Sequence, residues 1–184
     1  MRSLALLPVL LLAAVAWAAD PDMQRAQDAG LRYSVPKPWK RVPAPSDMRA
    51  AQYRIEGDAA DPKDDAEVVL FFFGAGQGGG AQANLDRWYS QFQQPDGRPS
   101  RDVAKVTPRT VNGLSVTAID LAGTYQPGPM MGGTGEPRPD TRMLAAVIEG
   151  KGGPWFLRII GPEPAMRSVA ADFDRLLGSL EPHQ

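Results

Sequence analysis

A glycine-rich segment is the sharpest chemical motif of the chain. Gly74, Gly76 and Gly79 have the G-x-G-x-x-G spacing between a predicted strand and a predicted helix. In dinucleotide-binding folds this spacing lets a pyrophosphate approach backbone N–H groups at the helix start. However, no acidic residue ends a second parallel strand, where the ribose would bind. We therefore predict no nucleotide cofactor. The alternatives are a flexible connection, or a small anion or ligand held at Gly76, Gly78 and Gly79.

An acidic loop raises the question of a calcium site. Its carboxylates are Asp58, Asp61, Asp64, Asp65 and Glu67. Calcium takes about six to eight oxygens from a chain that turns sharply, as in the D-x-D-x-D-G spacing. That spacing is absent, and Lys63 lies inside the cluster. The sequence therefore favours a solvated loop over a metal site.

Few side chains of the sequence suit nucleophilic or acid–base catalysis. The chain has no cysteine, and its only histidine, His183, precedes the last residue. Zinc sites and Ser-His or Cys-His nucleophiles are therefore not expected. Asp120 is the one acid inside a strongly apolar strand, so it is the candidate for a carboxylate-dependent hydrolase. The favoured alternative is that Asp120 faces solvent or pairs with Arg142 or Arg158 on nearby strands.

Two segments carry apolar side chains that suit contact with a partner or ligand. Met130 and Met131 lie in a fifteen-residue segment rich in glycine and proline, Gln126–Asp140. Loops of this length are either functional or flexible, and methionine adapts to varied apolar surfaces. Trp39 follows Pro38 and is the tryptophan most open to exposure, although a position capping the sheet edge is favoured. The Gln126–Asp140 loop is therefore the preferred functional segment.

Hydrophobic patterning predicts the elements that position these residues. Alternation predicts strands at Leu31–Val35 and Ala51–Ile55, and a fully apolar run predicts a central strand at Val68–Phe73. An apolar stripe from Ala81 to Phe92 predicts a helix. The remaining predictions are strands at 106–111, 114–125, 143–148 and 155–160, an Asn112-Gly113 turn, and a C-terminal helix from about Met166 to Leu180.

These elements predict an α+β fold. The strands are joined mainly by hairpins, with one strand–helix–strand crossover around Leu85–Phe92. We therefore expect an antiparallel sheet of about six strands covered by helices, arranged as an α/β/α sandwich. With 43% hydrophobic and 22% charged residues, the chain can supply such a core. Its 20 basic and 21 acidic residues are balanced, so no nucleic-acid partner is expected.

The N-terminus has the pattern of a cleaved export signal. Arg2 precedes an apolar run of 14 residues, and Ala16 and Ala18 are small residues at the positions that a signal peptidase reads. A membrane-spanning helix needs about 20 residues. We therefore predict a signal peptide at 1–18, a loose lead-in at 19–30 and a single domain at 31–181, located in the periplasm or outside a bacterial cell with no stable membrane anchor.

Residues Tyr33 to Trp39 resemble the opening of PsbP-like and Mog-type domains, where an aromatic residue and a serine precede a proline and a tryptophan. The end is similar too, with a hairpin through Trp155–Ile160 and a helix closing on Phe173 and Ser179-Leu180. The chain also resembles bacterial exported domains of unknown function in that group. The resemblance implies an antiparallel sheet between helices and accessory, non-catalytic roles through protein contacts. Some PsbP proteins bind metals through histidines that this chain lacks, so no metal site and no photosystem or Ran partner is carried over.

The sequence therefore predicts an exported, non-catalytic accessory or binding protein of the cell envelope. It would contact another envelope protein through its glycine- and proline-rich loops, without a cofactor. Two alternatives stay open at this point. One is a small hydrolase that uses carboxylates such as Asp120, and the other is a small-ligand or anion binder at the glycine-rich loop.

Overall fold

The computed structural model describes residues 26–46, 48–57, 61–128 and 135–183. The predicted signal peptide, most of the lead-in, and Met130 and Met131 lie outside these residues. No helix within the described ranges is long and apolar enough to cross a membrane.

The described residues form short and long strands together with three α-helices. The strands are β1 Leu31–Arg32, β2 Lys40–Arg41, β3 Arg49–Ile55, β4 Ala66–Phe72, β5 Phe92–Gln93, β6 Lys105–Val111, β7 Leu114–Tyr125, β8 Arg138–Gly150, β9 Gly153–Pro162 and β10 Glu181–Pro182. The helices are α1 Ala81–Ser90, α2 Ser100–Val103 and α3 Glu163–Gly178, with one 3-10 turn at Pro62–Asp64 and a helical stretch at 26–28.

One antiparallel sheet dominates the fold, as predicted. Within the described residues it has eight strands in the order β2-β3-β4-β9-β8-β7-β5, and β6 also pairs with β7. All of these pairs are antiparallel. The connection from β4 through α1 to β5 carries the chain over β9, β8 and β7 to the opposite edge. This is the predicted crossover, and it lays α1 across one face of the sheet.

Alternating side chains of β8 show that both faces of the sheet are covered. Leu144, Ala146 and Ile148 are buried in one apolar cluster together with Phe173 and Leu177 of α3. The intervening residues Met143, Ala145 and Val147 are buried in a second cluster with Leu85 and Trp88 of α1. The fold class is therefore the predicted α+β fold, with helices on both sides of an antiparallel sheet.

The two covering helices differ in length, and this difference leaves part of one face open. With 10 residues, α1 spans about 15 Å, whereas α3 has 16 residues and spans about 24 Å. The face under α1 is therefore less completely covered than the face under α3. The candidate site described below lies at the uncovered part of the α1 face.

Several local predictions are confirmed and two are corrected. The hairpin between β6 and β7 turns at Asn112 and Gly113, whose φ angles of 48° and 85° are those of the predicted type I′ turn. The strand predicted through Val35 ends at Arg32, because its partner β10 offers only two residues. The loop predicted to end at Asp140 ends earlier, because Arg138 already pairs with Tyr125 in the sheet.

Candidate functional site

A large groove lies on the α1 face of the sheet. Its volume is about 710 Å³. Its lining residues are Met48, Phe71, Phe73, Gly78, Arg87, Ser90, Gln91, Gln126, Pro127 and Gly128. They come from the start of β3, the end of β4, the glycine-rich loop, α1 and the segment that follows β7. The fold therefore brings together the two loops that the sequence analysis singled out separately. We call this site the apolar groove.

The end of β4 provides the aromatic wall of the apolar groove. Phe71 and Phe73 lie on the α1 face with their ring centroids 6.0 Å apart and their planes nearly parallel. Phe72 between them points to the other face and stacks on Trp155 at 4.2 Å. Met48 borders the same groove and is 57% exposed. An exposed methionine beside two half-buried aromatic rings makes a contiguous apolar surface, and such surfaces mark binding sites more often than isolated apolar side chains do.

The glycine-rich loop contributes its shape to the groove through Gly78. Gly78 has a φ of +79°, and a Cβ built on it would lie 2.7 Å from Cδ2 of Phe73 and 2.6 Å from Cε2 of Phe156. Only glycine fits there, because any side chain would collide with the aromatic wall. Gly76 also has a positive φ, but its Cβ direction faces open space. The structure therefore places Gly78 in the groove and leaves Gly76 outside it.

The side chain of Asn84 ties the glycine-rich loop to the start of α1. Nδ2 of Asn84 donates hydrogen bonds to the carbonyl oxygens of Gly78 at 2.9 Å and Gly80 at 3.0 Å. A longer contact of 3.4 Å reaches the carbonyl of Gly79. Asn84 thus fixes the loop conformation.

Trp39 occupies the apolar core and not the surface. It is 6% exposed and lies 6.2 Å from the ring of Tyr53 on β3. It belongs to the cluster covered by α3, on the side of the sheet away from the apolar groove. Its ring is therefore not available as a platform for a ligand.

Arg158 lies in a small cavity that adjoins the apolar groove. This cavity has a volume of about 40 Å³ and shares Phe71, Phe73, Arg87 and Gln91 with the groove lining. Arg158 is 3% exposed, and its Nε and Nη1 atoms have no hydrogen-bond partner in the described part of the chain. Oε1 of Gln91, in the same cavity, is also buried without a partner. Unsatisfied buried polar atoms are rare in folded proteins, so this cluster requires an explanation.

The charge around Arg158 is only partly balanced. Its Nη2 atom lies 3.5 Å from Oε2 of Glu67, and its guanidinium lies 5.9 Å from the ring centroid of Phe71. Glu67 is shared, because its Oε1 accepts hydrogen bonds from Arg49 at 2.8 Å and Gln52 at 3.1 Å. Burial lowers the pKa of the Arg158 guanidinium, whereas Tyr125 and Glu67 act in the opposite direction. A cation in this position is destabilised unless another negative group approaches it.

A second cleft, on the α3 face, contains the acid that the sequence analysis selected. Its volume is about 440 Å³, and both Asp120 and Asp174 line it. Asp120 accepts two hydrogen bonds from Arg142, at 2.8 Å from Nε and 2.7 Å from Nη2. This pairing raises the pKa of the Arg142 guanidinium. Asp174 accepts from Arg109 at 3.2 Å. We call this site the paired cleft.

The predicted pairing of Asp120 with an arginine is confirmed for Arg142 and wrong for Arg158. In the register of β8 and β9, Arg158 stands opposite Ala145, and Ala145 is buried in the cluster under α1. Asp120 stands opposite Leu144, which is buried in the cluster under α3. The two arginines therefore lie on opposite faces of the sheet. Each Asp120 oxygen accepts a hydrogen bond from Arg142, so this carboxylate already has a charged partner within the described chain.

The remaining polar candidates form no common site. In the described part of the acidic loop, Asp65 accepts a hydrogen bond from the backbone N of Gly57 at 3.1 Å. No group of three or more acidic, histidine or cysteine residues in the described ranges could hold a metal ion. His183 lies near Arg32, with 3.2 Å between Nδ1 and Nη2, and its backbone N donates to the carbonyl of Gly30. It thus joins the two ends of the domain.

The comparisons with known proteins identify the fold. No protein-family model and no curated protein matches the chain. The solution structure of cyanobacterial PsbP from Synechocystis is 14% identical, covers 85% of this chain and 88% of that chain, and has a TM-score of 0.50. The fold is PsbP-like. This confirms the resemblance seen in the sequence.

Two further solved structures match with lower TM-scores. A protein of unknown function from Pseudomonas aeruginosa is 12% identical over 78% of this chain and 90% of that chain, with a TM-score of 0.47. LpqN of Mycobacterium tuberculosis, described as involved in cell envelope biogenesis, is 15% identical over 84% and 83%, with a TM-score of 0.48. At such identities the shared feature is the chain fold, and function has to be argued from the site.

Sequence reasoning missed the aromatic wall and the environment of Arg158. Phe71 and Phe73 were read only as part of a buried strand, although the strand ends at Phe72 and its last side chains are half-buried. One signal for Arg158 was present. It interrupts the otherwise apolar run from Trp155 to Ile160, and a charge inside a fully buried strand needs either a partner or a role.

Proposed function

We propose that the protein is an exported, non-catalytic binding protein of the cell envelope, and that the apolar groove is its binding site. One observation carries this proposal. Met48, Phe71, Phe73 and Pro127 form a concave surface, and it lies beside Gly78, where no residue with a side chain would fit. Its volume of about 710 Å³ lies in the range of small-molecule sites, roughly 300–1,000 Å³. An apolar ligand body would cover side chains that otherwise face water.

The chemistry of the lining favours binding over catalysis. Among the described residues that line the groove, none carries a carboxylate, thiol or imidazole group. The hydroxyl of Ser90 donates to the carbonyl oxygen of Arg87 at 2.7 Å, so its proton is already engaged within α1. Export is proposed from the N-terminal sequence pattern of Arg2 and the apolar run that follows it.

Binding of a neutral apolar probe tests the proposal. Two exposed apolar residues, one inside the groove and one outside it, are substituted as a matched pair of variants. The large apolar residues exposed in the described chain are Met48, in the groove, and Val106, on β6. We expect 1-decanol to raise the melting temperature of the wild type, because a ligand that binds the native state stabilises it. Met48→Gln should weaken decanol binding about threefold or more, whereas Val106→Gln should leave it unchanged. Equal binding by both variants, or no binding by the wild type, would contradict the proposal.

Contact with another envelope protein through Gln126–Asp140 stays a separate prediction. Pro127 and Gly128 of this segment line the groove, so a bound partner chain and a small ligand would compete there. Crosslinking in the native host, with wild type compared with a deletion of residues 127–139, tests this contact. A partner that is captured by both proteins would show that this segment is not the contact.

A further inference from the structure

We propose that the ligand of the apolar groove is an amphipathic carboxylate, whose head group reaches Arg158 and whose apolar chain lies along Phe71 and Phe73. This inference rests on the proposed function and adds the chemical class of the ligand. It accounts for a feature that an apolar ligand alone would leave unexplained, the buried guanidinium beside the groove.

The unsatisfied donors of Arg158 point to an oxyanion. Nε and Nη1 of Arg158 are buried without a hydrogen-bond partner in the described residues, and their N–H groups point to different sides of the planar guanidinium, because Nε–H lies on the side of Nη2. The fork that binds the two oxygens of a carboxylate in parallel pairs Nη2 with either Nε or Nη1, and Nη2 of Arg158 lies 3.5 Å from Oε2 of Glu67. A charged donor that is buried without a hydrogen-bond acceptor lowers the stability of the protein. An anion that accepts hydrogen bonds from these donors would remove that cost.

The cavity beside Arg158 has room for such a head group. Its volume of about 40 Å³ exceeds the roughly 10–15 Å³ that one water needs. Gln91 lies in the same cavity with its Oε1 unpaired. A half-turn of the Gln91 amide presents Nε2 as a further donor to a carboxylate oxygen. Water could fill the same space, so the test below includes that outcome.

The charges around the cavity favour an anion over a neutral or cationic head group. Arg158, Arg87 and Arg49 lie along its lining or on the ring of Phe71, and Glu67 is the acid that contacts two of them. Within the described ranges, two arginines therefore line the cavity and Arg49 lies over the ring of Phe71, against one acid, Glu67. Since Glu67 is already bound by Arg49 and Gln52, it does not complete the shell of Arg158.

The neighbouring groove defines the other end of the ligand. The small cavity and the groove share Phe71, Phe73, Arg87 and Gln91, so a head group at Arg158 continues directly into an apolar chain along the two rings. A single anionic head with an aliphatic tail matches this layout. A polar molecule such as a sugar would leave the aromatic wall without an apolar contact.

Three ligands with the same ten-carbon chain separate the contributions of head and tail. We would measure dissociation constants for decanoate, 1-decanol and decyl phosphate by calorimetry, below their aggregation concentrations, on wild type, Arg158→Met and Arg158→Lys. Arg142→Gln in the paired cleft is the matched control. We expect decanoate to bind wild type about tenfold or more tightly than decanol, because a charge-assisted pair forms in a dry site.

The variants should separate the carboxylate contact from the apolar contact. In Arg158→Met the preference for decanoate should disappear while decanol binding is kept, and Arg158→Lys should retain part of the preference because it keeps the charge but loses the fork. Arg142→Gln should behave as wild type. A preference that survives in Arg158→Met would overturn the assignment of Arg158.

The failure of this inference differs from the failure of the proposed function. If decanol and decanoate bind wild type equally, or if decyl phosphate binds more tightly than decanoate, the carboxylate assignment is wrong and the groove remains a binding site. If none of the three binds, both proposals fail. A crystal structure grown with decanoate in which only water lies between Arg158 and Gln91 would also overturn the inference.

Discussion

Two arginines on opposite faces of one sheet have contrasting environments. Arg142 on β8 faces the paired cleft, where both arms of its fork bind Asp120 and its side chain is 22% exposed. Arg158 on β9 lies beside the apolar groove with a side chain that is 4% exposed and two donors unpaired. The first arginine is satisfied within the described chain, and the second is not. Under the binding proposal, the face with the unsatisfied Arg158 is the one that takes the ligand.

The physical reason for the contrast is the cost of an unpaired buried charge. A partly exposed, bidentate pair such as Asp120–Arg142 contributes on the order of 1 kcal/mol to the free energy of unfolding. A buried guanidinium with an incomplete shell lowers that free energy relative to an apolar residue of similar size. Residues that reduce stability in this way are characteristic of binding sites, where a ligand supplies the missing contact.

The largest effect is expected from closing the groove at Gly78. Gly78→Ala places a methyl group against Phe73 and Phe156 in a backbone conformation with positive φ, so we expect the free energy of unfolding to fall by about 2–4 kcal/mol. Gly76→Ala has the same strain but open space, and should cost about 1–2 kcal/mol. Urea unfolding measures both. Equal losses would show that the contact with the aromatic wall does not matter.

A change of opposite sign is expected at Arg158. Arg158→Met removes a poorly satisfied buried charge, and Glu67 keeps its bonds to Arg49 and Gln52. We therefore expect the ligand-free protein to gain about 1–2 kcal/mol in free energy of unfolding. Urea titration of the two proteins at equal pH provides the measurement. A loss of 2 kcal/mol or more would mean that Arg158 has a structural role, contrary to the comparison drawn above.

Removing a charge from the paired cleft should lower the free energy of unfolding. Asp120→Asn removes the charge that Arg142 binds, while the side-chain shape is kept. We expect a loss of about 1 kcal/mol in the free energy of unfolding, since Arg142 remains partly hydrated. Arg142→Gln tested together with Asp120→Asn gives the coupling between the two residues. A coupling near zero would remove the distinction between the two arginines.

The smallest expected effect is a difference between the two arginine sites in their response to salt. Raising the ionic strength to about 1 M shortens the Debye length to about 3 Å and screens exposed pairs most. The stability loss caused by Asp120→Asn should then shrink to about half. The preference for decanoate over decanol should change less than twofold, because the head group lies in a buried cavity. If this preference fell tenfold in salt, the carboxylate would be bound at the surface instead.

Much of the fold could be predicted from the hydrophobic pattern. The apolar run at β4, the alternation in β3 and the stripe of α1 each correspond to the observed element, because burial on one or two faces fixes which positions must be apolar. The Asn112-Gly113 turn was equally readable, since few residue pairs accept two positive φ angles. The short strands β2, β5 and β10 were not, because two-residue pairings leave no pattern, and β1 was predicted three residues too long.

The candidate site was only partly predictable. The sequence selected the glycine-rich loop and the segment after β7, and the fold brings Gly78 and Pro127 to one groove. Their meeting depends on the crossover of α1 between opposite edges of the sheet, which no local pattern encodes. Trp39 was selected for its sequence neighbours and is buried, because its position relative to α3 is decided by packing.

The sequence by itself determined that the protein forms an antiparallel sheet with both faces covered. It also determined which residue types are available for chemistry. The tertiary structure decided on which face each charge lies. The pairing of Gly150 with Gly153 leaves a two-residue turn between β8 and β9, and this register puts Arg142 and Arg158 on opposite faces. One residue more or less in that turn would reverse the orientation of every side chain in β9, because side chains alternate with a period of two.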